Sequence, residues 1–467
     1  MTPTGPSADV TPTVTVAGGT RLQGRVRVPG DKSISHRALL LAALADGTSS
    51  LRGLSGGDDV RRSAAAVAAL GAVVTGRPVT GRPDAGRAAT PDGAAPTGAG
   101  FDAEVAGGPD RLHQPDGPLD LGNSGTGLRL VAGLVAGWPW TVELTGDASL
   151  SSRPMDRIAG PLRAMGAVVD GRGERCLPPV VVRGGHLHGI DYTPPMASAQ
   201  VKSCLLLAGL RAAGETVVRE AVLTRVHTEE LLAAAGADIA EANEAGVHVV
   251  RLRGGRLRPL DLDVAGDPSQ AAFWVVAACV VPGSTVTVES IYAGPARRGF
   301  LDVLRRMGAA VEETPTTRGV GTVDVTARFA PLRPTEVDAA EIPSLDEVPI
   351  LAVAAAAAEG TTVFRDVGEL RVKESDRLHG VAALVRAFGA GADIDGDDLA
   401  VHGAGRLHAG RVDAGGDHRM AMAGAVAGLV AAGETVVEGW GSVATSYPGF
   451  AADLAHLGGR LRIGGRP

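Results

Sequence analysis

"GDKSISHRALLLAALADGTSSL", residues 30–51, joins a polar turn to an unbroken run of Ala and Leu, and then passes through Asp46-Gly47 into a short strand-like segment. The run predicts a helix, and Asp31 or Ser33 can cap it, a contribution of about 1 kcal/mol. A cap does not need Lys32, His36 and Arg37 as well. Charged groups crowd the mouth of a helix whose body is wholly apolar.

The same order of polar turn, apolar helix, Gly- or Pro-marked turn and β-branched strand returns at 122–144, 197–218, 266–288, 344–364 and 416–437. Such self-similarity marks a repeated structural unit. A second, amphipathic helix follows each copy, as in "PLRAMGAVVDG" (161–171), "VLRRMGAAVEE" (303–313) and "LVRAFGAGADIDG" (384–396). Each of these helices ends at a glycine suited to a helix C-terminus, namely Gly71, Gly166, Gly236, Gly308, Gly389 and Gly458. Both signals count six copies. They predict an α/β protein of two domains with three units each, the apolar helices buried and the strands forming sheets outside them.

Composition bounds the function. A chain of 467 residues with 45% hydrophobic content exceeds one core and supports two. A formal charge of −7 argues against nucleic acid or an anionic membrane as a general partner. Cys176, Cys204 and Cys279 form no CxxC pair, so they predict core residues rather than disulfides or a zinc site. The stretch 1–19, "MTPTGPSADVTPTVTVAGG", has neither the basic nor the apolar region of a signal peptide, so a cytoplasmic location is expected. The Ala-rich stretches 350–360 and 421–433 are shorter than the roughly 20 apolar residues that span a bilayer.

Chemistry collects at the six helix mouths. Unbonded N–H groups and the positive dipole end make each one an anion site. The dipole gives only about 0.3–1 kcal/mol. Charge-assisted hydrogen bonds give about 1.5–3 kcal/mol each, and Lys32, Arg37, Arg129, Arg153, Lys373, Arg377 and Arg419 lie in or beside these turns. "RVKESDRL" (371–378) predicts Lys373 and Arg377 on one helical face with Glu374 beside them. Asp346 and Glu374 stand among the cations; one is a helix cap or an acid–base group, the other an ion-pair partner or an acid–base group. "GNSGTGLR" is neither a P-loop nor GxGxxG, and no GxSxG elbow occurs. His36, His227 and His418 are too far apart in sequence to suggest a metal site, and each is read as local structure.

The motifs "PGDKSISHRALLLAAL", "LGNSGTGLRL", "SSRPMDRI", "SAQVKSCLLLAGL", "RVHTEELL", "GDPSQAAF", "LRVKESDRL", "GDHRMAMAG" and "SYPGF" occur in this order along nearly the whole chain. On them the chain resembles the 5-enolpyruvylshikimate-3-phosphate (EPSP) synthases, the 3-phosphoshikimate 1-carboxyvinyltransferases. "GDKSISHR", "SAQVKS" and "RVHTE" are closer to the class common in Gram-positive bacteria. The resemblance implies a two-domain inside-out α/β barrel of six βαβαββ units, with one domain over 1–30 and 265–467, the other over 31–264, and a flexible insertion at 76–100. It also implies transfer of the enolpyruvyl group of phosphoenolpyruvate to the 5-hydroxyl of shikimate 3-phosphate, with release of phosphate through a tetrahedral intermediate. A monomer without cofactor or metal is expected, as is competition of glyphosate with phosphoenolpyruvate.

Carried onto this chain, the resemblance puts Lys32, Gly125, Arg153, Gln200, Arg377 and Arg419 around phosphoenolpyruvate. Lys32, Ser33, Arg37, Ser198, Ala199, Gln200, Arg225, Asp346 and Lys373 would hold shikimate 3-phosphate. Asp346 would act as base at the 5-hydroxyl, and Glu374 with Lys32 would handle the methylene proton. Thr445 stands where many relatives carry Lys, and Val226 where a similar class has Asp, so neither contact is carried over. Two other acceptors stay open, UDP-N-acetylglucosamine and a shikimate analogue of specialised metabolism. The sister enzyme acting on the former usually has a reactive Cys in the loop that reads "GDASLSSRP" (146–154) here, without one.

Overall fold

A computed structural model describes residues 12–78, 100–316 and 321–464. Most of the expected insertion at 76–100 lies outside the described residues. The repeat is visible as twelve α-helices among the described residues, alternating between buried and amphipathic. The buried set is α1 (Lys32–Leu44), α3 (Gly125–Ala136), α5 (Ala199–Gly209), α7 (Pro268–Val280), α9 (Val348–Ala357) and α11 (His418–Val430). Between them come α2 (Asp58–Ala69), α4 (Asp156–Ala164), α6 (His227–Ala234), α8 (Gly299–Arg306), α10 (Arg377–Ala387) and α12 (Phe450–His456). Side-chain caps start five of the buried helices: Asp31, Ser124, Ser198, Asp267 and Asp417 each accept a hydrogen bond from an N–H of the first turn. All six predicted glycines after the amphipathic helices have positive φ, between 77° and 109°, which a side chain would oppose.

The strands form six four-stranded sheets of one topology. In each, a leading strand runs parallel to the strand after the buried helix, and that strand pairs antiparallel with a third, which pairs antiparallel with the fourth. Two sheets borrow their leading strand. Asp261–Asp263 leads the sheet of Gly47–Leu54, and Gln23–Val26 leads the sheet of Thr285–Tyr292. The last sheet borrows instead its middle strand, Val14–Ala17, between Glu434–Glu438 and Arg460–Ile463.

The buried helices make two separate apolar cores. One combines residues of 34–265 with Tyr292, and the other combines Val14–Val28 with residues of 271–457. Small residues bring the helices close: a Cβ at Gly133 of α3 would fall 2.2 Å from the Cys204 carbonyl oxygen of α5. The chain passes between the cores twice, side by side, where Asp31 N donates to Ala265 O at 2.7 Å and Asp267 N to Pro29 O at 2.9 Å. The helix mouths of both cores meet there. No helix among the described residues is long and apolar enough to cross a membrane.

Candidate functional site

On the first core, the mouths of α1, α3 and α5 are cross-linked by polar side chains. Lys32 Nζ donates to Asp59 Oδ2 at 2.6 Å, and Arg225 Nη1 donates to Ser33 Oγ at 2.7 Å. Gln200 accepts from Arg129 Nη1 at 2.6 Å and donates to Thr126 Oγ1 at 2.9 Å. Arg153 Nη2 donates to the Asn123 side chain at 2.5 Å. Burial, aided by neighbouring Arg153, pushes the Arg129 guanidinium down to about 10. Two closely set, half-buried cations make a place where an anion is stabilised on arrival.

The second core answers with carboxylates set among arginines. Arg225 crosses from the first core, its Nη2 donating to Asp346 Oδ2 at 2.8 Å. Arg377 Nη1 lies 3.3 Å from Asp346 Oδ1, and Arg419 Nη2 lies 3.3 Å from Oδ2. The buried Arg377 side chain also donates through Nε to Asp417 at 2.7 Å and lies 2.5 Å from Glu374 Oε2. Lys373 Nζ donates to the Ser344 carbonyl at 3.1 Å. Burial alone would raise the Asp346 carboxyl, but Arg419, Arg225, Lys373 and Arg377 overcome it and hold the group well below the usual range. Glu374 is likewise ionised: burial opposes the charge, and Arg377, Lys32 and Arg153 outweigh it. Arg157 and Glu369 add a second tie between the cores at 3.1 Å.

Several details differ from the sequence expectations. Asp346 does not cap α9; the cap position is Glu347, which makes no side-chain cap bond, and Asp346 turns to the three arginines. Lys373 and Arg377 do not share a helical face, because α10 starts at Arg377 and Asp376 caps it through His379 N. Arg37 is 2% exposed and donates to Ser33 O, Ala199 O, Ser203 Oγ and Thr228 Oγ1, so it sits behind the mouths and joins α1, α5 and α6. Ser198 serves as the α5 cap. Burial drives the His36 and His227 rings well below their usual pKa, and His418 to about 3, so all three are neutral at pH 7. The three cysteines are free and buried, as expected. Asp59, Asp417 and Arg297 were not anticipated. Asp417 stands in a mouth motif that could have revealed it; Asp59 and Arg297 carry no local signal.

The comparisons with known proteins agree with this geometry. The sequence profile of EPSP synthase (3-phosphoshikimate 1-carboxyvinyltransferase) matches residues 16–99 and 99–454. The chain belongs to the EPSP synthase family. The 3-phosphoshikimate 1-carboxyvinyltransferase of Xanthomonas campestris pv. campestris (strain B100) is 45% identical over 455 residues, covering 96% of this chain and 97% of that protein. That of Xanthomonas axonopodis pv. citri is 45% identical over 453 residues with the same coverage. The solved EPSP synthase of Acinetobacter baumannii superposes with a TM-score of 0.82 at 35% identity, over 97% of this chain and all (100%) of that one. The enolpyruvyl transferase NikO of Streptomyces tendae, at 22% identity and a TM-score of 0.76 over 98% of this chain and 100% of its own, shares the fold. The two-domain inside-out α/β fold and the EPSP synthase reaction, carboxyvinyl transfer from phosphoenolpyruvate to the 5-hydroxyl of shikimate 3-phosphate, are thus those of this chain.

Proposed function

We propose that the junction between the cores is where the transfer occurs, and that its side chains divide the work as follows. Lys32, Arg153, Gln200, Arg377 and Arg419, with Gly125, receive phosphoenolpyruvate. Lys32, Ser33, Ser198, Ala199, Gln200, Arg225, Asp346 and Lys373 receive shikimate 3-phosphate, with Arg37 fixing the turns that carry them. The observation that carries this reading is the convergence of Arg225, Arg377 and Arg419 on one half-buried carboxylate, Asp346, with Glu374 ion-paired alongside.

In the forward direction the 5-hydroxyl oxygen bonds to C2 of phosphoenolpyruvate, its proton goes to Asp346, and the Lys32 ammonium, or Glu374 once protonated, delivers a proton to C3. The tetrahedral intermediate then loses the C3 proton to Glu374 or Lys32 as the C2–O bond to phosphate breaks. The arginines oppose the negative charge of phosphate and carboxylate throughout. Glu374 begins ionised, held so by Arg377. Anionic substrates beside Arg377 offset that cation's field and raise the Glu374 pKa, which brings the group into proton exchange.

The two cores are read as two domains, 1–30 with 265–467 and 31–264. The chain is read as a cytoplasmic monomer of the class marked by "GDKSISHR", "SAQVKS" and "RVHTE". A phosphate-release assay tests the acceptor. Release with phosphoenolpyruvate and shikimate 3-phosphate, and none with UDP-N-acetylglucosamine, is expected; the reverse overturns the reading.

Gly125 supplies a sharper test of the donor site. A Cβ there would stand 3.1 Å from Arg129 Nη1 and 3.3 Å from Arg153 Nη1, so Gly125→Ala must push both guanidinium groups. Overpacking costs about 1–3 kcal/mol, which corresponds to KM for phosphoenolpyruvate rising roughly 5- to 150-fold. Steady-state kinetics should show that rise with a smaller change in the KM of shikimate 3-phosphate, and glyphosate inhibition should weaken in parallel.

A further inference from the structure

We propose that Arg297 is a positioning residue for carboxyvinyl transfer: one buried guanidinium that fixes Lys32 and Asp346, which stand on opposite cores, relative to each other. Its side chain, just before α8, is 1% exposed. Nη2 donates to Asp31 Oδ2 and to Asp267 Oδ1, both at 2.7 Å. Those acceptors grip the first turn of α1 from both sides of Lys32: Asp31 caps the helix through Ile34 N at 2.9 Å, and Asp267 Oδ2 accepts from Lys32 N at 3.1 Å. Asp31 and Asp267 are also the residues through which the chain crosses between the cores.

The other arm of the fork leads to Asp346. Nη1 donates to Ser269 Oγ at 3.0 Å and lies 3.6 Å from Glu347 Oε1. Glu347 Oε2 accepts from Ser344 Oγ at 2.9 Å, and Ser344 Oγ accepts in turn from Asp346 N at 3.4 Å. The Ser344 carbonyl holds Lys373 Nζ. A planar fork can serve these divergent acceptors at once, whereas a lysine ammonium is a single point charge. The sequence gives no hint of the role, because Arg297 lies 266 residues from Asp31.

The inference rests on the proposed roles of Lys32 and Asp346. Three variants test it: Arg297→Lys, the charge-balanced double variant Arg297→Gln with Asp267→Asn, and Lys32→Met as control. A displacement of about 1 Å at reacting groups costs about 100-fold, so kcat should fall about 100-fold in both Arg297 variants. Calorimetric affinity for shikimate 3-phosphate, spread over many contacts, should change less than about fivefold, and the thermal transition should remain cooperative. Parent-like kcat in Arg297→Lys, with Lys32→Met inactive, overturns the inference alone. Equal losses of kcat, affinity and folded protein also overturn it, since they mark a purely structural residue. Turnover surviving in Lys32→Met overturns the site reading and the inference together.

Discussion

Glu374→Gln is expected to lower kcat by about 10²–10⁴-fold, the range for loss of a general acid–base group. The amide keeps the shape of the side chain but can no longer take and return a proton. Its neighbour Arg377 retains two hydrogen bonds to Asp417, at 2.7 and 3.2 Å, so the cationic site stays in place. Calorimetric affinity for shikimate 3-phosphate should therefore stay close to that of the parent. Rapid-quench measurement of a single turnover locates the defect in the chemical step. A kcat within about tenfold of the parent would remove Glu374 from proton transfer.

Lys202→Met is expected to give the largest loss of stability. Lys202 Nζ lies 2.6 Å from Glu220 Oε2 and 2.6 Å from Glu229 Oε1, and all three side chains are at most 1% exposed. Removing the shared cation leaves two carboxylates buried together, at a cost of about 3–5 kcal/mol. For a lobe of this size, scanning calorimetry should show Tm falling by roughly 6–20 °C. The pH dependence supplies the sign. In the parent, burial opposes ionisation of Glu229, but His248 and Lys202 hold its carboxyl below the usual value. Without Lys202 burial dominates and the folded pKa rises above the unfolded one. The penalty then sets in as pH rises through the carboxylate range, so the gap in Tm between variant and parent should narrow towards pH 4. A gap independent of pH would assign the loss to packing instead.

Much of the fold was legible because its signals are local. Each helix mouth with its cap, and each glycine after an amphipathic helix, sits within a few residues of what it controls. Lys32, Arg37, Arg129 and Arg419 were legible for the same reason, since each lies at the start of a buried helix, whereas Arg153, Arg225, Lys373 and Arg377 turn out to stand at the entries of the amphipathic helices α4, α6 and α10. The partners that fix those cations were not. Asp59 reaches Lys32 across 27 residues, and Arg225 reaches Asp346 across 121, with no periodicity linking either pair. The misplaced helical face of Lys373 and Arg377 has a different cause. Spacing by four is helical only if the backbone is, and Asp376 favours ending the turn by capping the helix that follows.

The borrowed strands bear on how the chain folds during synthesis. Val14–Ala17 and Gln23–Val26 leave the ribosome well before their sheet neighbours, Thr285–Tyr292, Glu434–Glu438 and Arg460–Ile463. At about 5–20 residues per second, the first of these partners follows the early strands by roughly 15–50 s. In that interval residues 31–264, closed by their own late strand Asp261–Asp263, can fold as one body. The early strands meanwhile wait with unpaired backbone edges, the kind of surface on which aggregation starts. A deletion that removes Val14–Val26 would thus damage the half of the protein that is translated later.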